Sequence, residues 1–295
     1  MTWLINPFQF GLPPFAIPSA LYWRCRALRH PTNTDWIMGE MALAATPGGA
    51  TLCTGGTAIA SGGSPAANAF DGSLVTYWKA PFVANSWVGY RFTTPVSPQE
   101  LRITYPTTTV GQYPIALSLD YSANGVTWFM FAAFDDTTWV NSQTRSWSFN
   151  PVLPNSSTQW RMYMEFNTSG TSLLINVAEF QMASSIGGAN QLTGGTPTGN
   201  VAAGAGSAIT NAFDGNPATM ARWTGQYRSI CTYTTASALV AKELRAQGSV
   251  AVGGDNPGDL RLQLPDGSGG AWRVAAALTG IAPWTSSEWK SVVVS

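Results

Sequence analysis

The chain has 295 residues, and only 10% of them are Asp, Glu, Lys or Arg, against about 25% in a typical soluble domain. Fifteen basic residues balance fifteen acidic ones without forming a basic cluster, which argues against nucleic acid, whose binders need a positive surface to displace phosphate counterions. Thirty glycines and nineteen prolines break the apolar runs into short pieces, so the expected class is all-β, and the length accommodates two domains.

Three cysteines, Cys25, Cys53 and Cys231, are too few and too scattered for a disulfide framework or a four-ligand zinc site, and read as buried thiols. No apolar run approaches the roughly 18 residues of a membrane span, and the N-terminus lacks the pattern of a signal peptide. The expectation is a soluble protein made in a cytoplasm, with no membrane partner.

Residues 1–21 stand apart. They are apolar and aromatic, and Pro7, Pro13, Pro14 and Pro18 favour an extended course without ladder hydrogen bonds. The segment is either a strap over its own domain or an arm that docks on another subunit through Trp3, Phe8, Phe10 and Phe15.

From Tyr22 onward the sequence repeats. Trp23-Arg24 returns as Trp160-Arg161, and Met38-Gly39-Glu40-Met41 as Val177-Ala178-Glu179-Phe180. Asn68-Ala69-Phe70-Asp71-Gly72 returns identically as Asn211-Ala212-Phe213-Asp214-Gly215, and Glu100-Leu101-Arg102 as Glu243-Leu244-Arg245. These matches divide the chain into units 22–158 and 159–295. Leu117 to Tyr121 and Leu260 to Leu264 alternate as half-buried strands do. Asn124-Gly125 and Asp266-Gly267 come next as hairpin turns that tolerate positive φ. Two sets of short strands predict two β-sandwiches or jelly rolls.

Laid out in this way, the units resemble discoidin-type domains, the galactose-binding-like sandwiches of coagulation factors and many carbohydrate-binding modules. The resemblance rests on the Asn-Ala-Phe-Asp-Gly turn with Thr76 and Trp78, or Thr219 and Trp223, after it. It also rests on Trp87-Val88-Gly89-Tyr90, the hairpin over 117–128 and the Ala178-Glu179-Phe180 strand. It covers 44–182 well and 183–295 more loosely. In that family the Trp-Arg and Ala-Glu strands end a domain, whereas here they come first. Either each unit is a circular permutant closed on itself, or 44–182 is one sandwich and 22–43 with 183–295 forms another by strand exchange. Tandem units of this kind also resemble tail, fibre, neck and head-accessory proteins of tailed bacteriophages.

The resemblance implies a calcium site at each Asp-Gly turn. The first would use Asp71, Thr76 and either Glu40 or Glu179; the second would use Asp214, Asn216, Thr219 and the other glutamate. A tight turn exposes the carbonyls and carboxylates that this hard cation prefers. The competing reading is that Asp71 and Asp214 cap their own turns. Thirteen tryptophans invite a sugar-binding role; Trp78, Trp128, Trp223 and Trp272 are expected to pack the core, which leaves Tyr77, Trp87, Trp139, Tyr227 and Trp284 as loop candidates. His30 is the single histidine, so triad chemistry finds no support. Asp135-Asp136 reads as a loop turn rather than a paired-carboxylate hydrolase site. The expected function is non-enzymatic: a structural or adhesion component of a virion that contacts other virion proteins, copies of itself and a host surface glycan. The alternative is a free carbohydrate-binding module.

Overall fold

A computed structural model describes residues 16–29, 35–82, 86–107, 112–135, 139–167, 174–199, 207–224, 228–249, 256–281 and 284–294. Trp3, Phe8, Phe10, Phe15, His30, Asp136 and Tyr227 lie outside them. The described chain is all-β, with two short 3₁₀ turns at Ala66–Ala69 and Ile209–Phe213. No helix among the described residues is long and apolar enough to cross a membrane. Two compact units form: one is Ala16–Leu153 with Asp266–Arg273, the other includes Pro154–Pro265 and Val274–Ser295.

The first unit contains ten strands: β1 (Ala20–Arg29), β2 (Asp35–Met38), β3 (Glu40–Ala44), β4 (Thr57–Ala60), β5 (Trp78–Pro81), β6 (Trp87–Val96), β7 (Glu100–Thr104), β8 (Ala116–Ser122), β9 (Phe129–Phe134) and β10 (Thr144–Ser148). Strands order as β4-β6-β1-β8-β9 in the larger sheet and β3-β7-β10 in the smaller, with β2 paired to β5. The side chains explain the layering. Trp23, Cys25 and Ala27 alternate onto one face of β1 and are fully buried. They share a core with Leu101 and Ile103 of β7 and Leu117 and Leu119 of β8. Between the two sheets, the Phe134 ring lies 4.6 Å from Trp147 and Phe131 lies 4.9 Å edge-on from Phe149, separations at which aromatic pairs attract beyond their buried area.

The second unit repeats the order with β11 (Ser156–Asn167), β12 (Leu174–Val177), β13 (Glu179–Ala183), β14 (Thr196–Gly199), β15 (Ala221–Thr224), β16 (Arg228–Val240), β17 (Glu243–Gln247), β18 (Pro257–Asp266), β19 (Ala271–Leu278) and β20 (Trp289–Val293). The pairings repeat too: β11 lies between β16 and β18, β14 flanks β16, β13-β17-β20 form the smaller sheet and β12 pairs β15. Trp160 takes the place of Trp23 and is equally buried.

One departure from the repeat is the tip of the β18–β19 hairpin, whose residues Asp266–Arg273 belong to the first unit. Ala271, Trp272 and Arg273 pair with Phe134, Ala133 and Ala132 of β9. Gly267 has φ +58°, and a Cβ there would lie 1.9 Å from the Ser148 carbonyl oxygen, so no other residue fits. Cys25, Cys53 and Cys231 are buried free thiols, and burial pushes Cys53 up to about 11.

Candidate functional site

Each residue of the repeated pentapeptide has a local task. The Asn68 amide donates to the Tyr77 carbonyl at 3.1 Å, and Asn211 donates to the Met220 carbonyl at the same distance. Ala69 and Ala212 are fully buried and leave room for the turn against the sheet. Phe70 packs 5.1 Å from Tyr90, and Phe213 packs 4.7 Å from Tyr233. Gly72 and Gly215 then take φ +76° and +73°, the left-handed conformation that reverses the chain at little cost only for glycine.

The aspartates tie down the residues after each glycine. Asp71 Oδ1 accepts from the Ser73 N–H at 2.9 Å, and Asp71 Oδ2 accepts from the Thr76 hydroxyl at 2.7 Å. Asp214 accepts from the Asn216 N–H and the Thr219 hydroxyl, both at 2.8 Å. The difference between Ser73 and Asn216 is absorbed without changing the turn. Ser73 Oγ accepts from the Val75 N–H at 3.3 Å, and Asn216 Oδ1 accepts from the Ala218 N–H at 3.1 Å.

Strands β3 and β13 settle which glutamate meets which turn. Glu40 Oε1 shares the Ser73 N–H with Asp71, at 3.0 Å. Glu179 lies beside Asp214 in the second unit; it is buried, and neither of its carboxylate oxygens has a hydrogen-bond partner of ordinary geometry. Burial, followed by the neighbouring aspartate, pushes Glu40 and Glu179 each up to about 7. Asp71 is held low by the Thr76 hydroxyl first. For Asp214, burial works upward, and the Asn216 N–H and Thr219 hydroxyl overcome it to hold the group low. Each turn therefore carries two adjacent carboxyls, one readily ionised and one that resists ionisation. A shared proton or a cation between them relieves the repulsion. Among the described residues no group of three or more His, Cys, Asp or Glu side chains converges, so any cation here would draw its remaining ligands from carbonyls, hydroxyls and water.

The aromatic candidates separate by position. Trp139 and Trp284 occupy equivalent places before β10 and β20 and are 7% and 6% exposed, with the Trp284 indole N–H donating to the Pro257 carbonyl at 2.8 Å. Tyr77 is half-buried beside the first turn. Of the tryptophans expected in the core, Trp78 and Trp223 are fully buried, whereas Trp128 and Trp272 are half-buried. Trp128 lies 5.6 Å from the half-buried Trp87, with the Arg24 guanidinium 4.1 Å above its ring. Sequence reasoning passed over Arg24 and its neighbours Tyr22 and Arg91 because they are scattered singly along β1 and β6. Their signal lies in cross-strand register, which becomes readable only once the strands are paired.

No family model, no curated protein and no solved structure matches this chain.

Proposed function

We propose that the chain is a non-enzymatic structural and adhesion component of a bacteriophage particle, made of two discoidin-like sandwiches, each circularly permuted so that its closing strands come first. The observation that carries the reading is the duplication, with each copy supplying its own closing strands. β1 sits between β6 and β8, and β11 between β16 and β18. Glu40 likewise reaches Asp71 and Glu179 reaches Asp214, within one unit in each case. Two copies of one scaffold suit assembly, where a second linked contact raises avidity. Residues 1–21 would dock the protein to other virion proteins or to further copies of the chain, and the units would contact a host surface glycan.

Calcium fits the two carboxyl turns. Asp71, Thr76 and Glu40 would hold one ion, and Asp214, Asn216, Thr219 and Glu179 the other. Glu179, buried beside Asp214 and pushed up by both burial and that neighbour, is the carboxyl whose charge a cation would relieve most. The ion would supply positive charge that fixes the turn against β3 or β13, and no reaction chemistry. Titration calorimetry after chelation should show heat on adding calcium, together with a higher melting temperature, because a ligand bound only by the folded state stabilises it. Absence of both removes the ion from the reading.

The assembly role is tested by the mass of the purified protein in solution, intact and without residues 1–21. An oligomer that becomes monomeric on removal of the arm supports it. A monomer in both forms that binds glycan favours the rival, a free carbohydrate-binding module. One observation favours that rival: the aromatic and arginine cluster around Trp87.

A further inference from the structure

In the first unit, the face of β6, β1 and β8 directed away from the core carries a cluster that the second unit does not reproduce. Register places Tyr22 opposite Arg91, Arg24 opposite Gly89, and Arg26 opposite Trp87 on β6; on its other side Arg24 faces Asp120 of β8. A Cβ on Gly89 would lie 2.3 Å from the Trp23 carbonyl oxygen and 2.7 Å from the Arg24 Cβ. Glycine therefore lets β1 press against β6 and seats the Arg24 stem where a side chain would otherwise stand. The Arg24 guanidinium then lies 4.1 Å from the Trp128 ring centre and 5.2 Å from that of Trp87. Beside it, Arg91 lies 5.8 Å from the Tyr22 ring, and Tyr22 meets Trp128 edge-on at 6.4 Å. Arg91 is exposed, and Tyr22, Trp87 and Trp128 are each half-buried.

Positive charge gathers on this face. Asp120 Oδ2 takes both Arg24, at 3.0 Å, and Arg26, at 2.9 Å; Arg26 and Asp120 are buried, and Arg91 stands exposed on the same face. The chain as a whole has a formal net charge of +0, so an exposed arginine beside half-exposed indoles is a local feature of this face. The repeat shows that the fold does not require it. At the equivalent register positions the second unit has Gln159 for Tyr22, Tyr163 for Arg26, Ile230 for Trp87, Thr232 for Gly89, Thr234 for Arg91 and Gln263 for Asp120, while Arg161 stands for Arg24.

We infer that this face binds a carboxylate-bearing pyranose, the acidic residue of a glycan; the inference rests on the glycan contact proposed above and assigns its site and ligand class. Trp87 and Trp128 are half-exposed, and the indole surface that Arg24 leaves uncovered offers a flat apolar platform to the C–H face of the sugar ring. Arg91 presents a planar fork of donors that matches a carboxylate geometrically.

The test titrates the full-length chain with three probes, followed by indole fluorescence: a galacturonic acid trimer, sialyllactose and neutral lactose. The two acidic probes separate a uronic acid from a sialic acid as the natural source. At least one acidic probe should quench saturably, weaken with added salt and bind about tenfold more tightly than lactose. Arg91→Gln and Trp87→Ala should each weaken that binding by about tenfold or more, while Trp289→Ala in the second unit leaves it unchanged. Arg91 is exposed, so Arg91→Gln keeps the fold even if Trp87→Ala does not, and a melting curve of each variant checks this. Acidic-probe binding that persists in both variants overturns this site and leaves the glycan contact standing. Lactose binding as tight as that of the acidic probes overturns the acidic ligand, and no binding of any probe overturns both readings.

Discussion

Glu40 and Glu179 each take a position where ionisation is opposed, and the pH dependence of stability follows from it. Their carboxyls rise from an ordinary 4.5 to about 7, so between those values the folded chain holds protons that the unfolded chain has released. Stability depends on pH with the sign of the protons bound by the unfolded state minus those bound by the folded state. It is therefore fully present below about 4.5, falls as pH rises through about 7 and stays low above that. Asp71 and Asp214 act in the opposite sense: their carboxyls lie below the ordinary 3.8, so their contribution is present above that value and is lost as pH falls below it. Metal-free protein should melt highest between about pH 4 and 5 and lose melting temperature steadily up to about pH 7.5. The double variant Glu40→Gln, Glu179→Gln, which keeps the neutral shape of both groups, should flatten that slope. An unchanged slope would assign the pH dependence to other groups.

Among the elements, the β18–β19 hairpin departs furthest from its counterpart. The β8–β9 tip satisfies itself: Asn124 Oδ1 accepts from the Val126 and Thr127 N–H groups at 2.9 and 2.8 Å. The β18–β19 tip is held by residues around β10 instead. Asp266 is buried, accepts from the Asn150 amide at 2.7 Å and pairs with Arg273 at 3.0 Å. Arg273 also donates to the Asn150 carbonyl, and its guanidinium lies 5.0 Å from the Phe131 ring. Removing one member of a buried pair leaves the other charge uncompensated, which costs about 3–5 kcal/mol. Urea denaturation of Asp266→Ala should show a loss of that size, while the apolar double replacement Asp266→Leu, Arg273→Met should cost much less. Equal losses would mean that shape rather than charge holds the tip. The sequence made both hairpins legible through Asn124-Gly125 and Asp266-Gly267, because their turn chemistry is local. It did not reveal that the second tip lies in the first unit, because Asp266, Arg273 and Asn150 acquire their roles only across a long stretch of chain. The same limit applies to β8, where alternation from Leu117 to Tyr121 implies one wet face. Ser118 and Asp120 are as buried as Leu117 and Leu119, and no local period announces what covers a polar face. At the carboxyl turns the aspartates and threonines were readable from the repeat. Which glutamate reaches which turn depended on strand order.

For the whole molecule, the place of β1 and β3 at the start of the first unit raises a question of independence, and truncation answers it. Residues 1–43 contain β1, β2 and most of β3, so their deletion strips β6 and β8 of the strand between them and β7 of one neighbour. It also removes Trp23, whose ring packs 5.5 Å edge-on against Phe131 in the core of the first unit. Loss of a buried tryptophan alone costs about 3–5 kcal/mol, comparable to the entire stability of many domains, so the first unit should not fold. β11 keeps its pairings with β16 and β18, and β13 keeps β17, so the second unit should remain folded. Calorimetry of the intact chain should resolve two transitions, and the truncated chain should lose one and keep the other. Indole N–H resonances of Trp160 and Trp223 should stay dispersed in the truncated protein while those of Trp78 and Trp147 collapse. Loss of both sets would mean that the second unit does not fold without the first, and separate closure would be overturned.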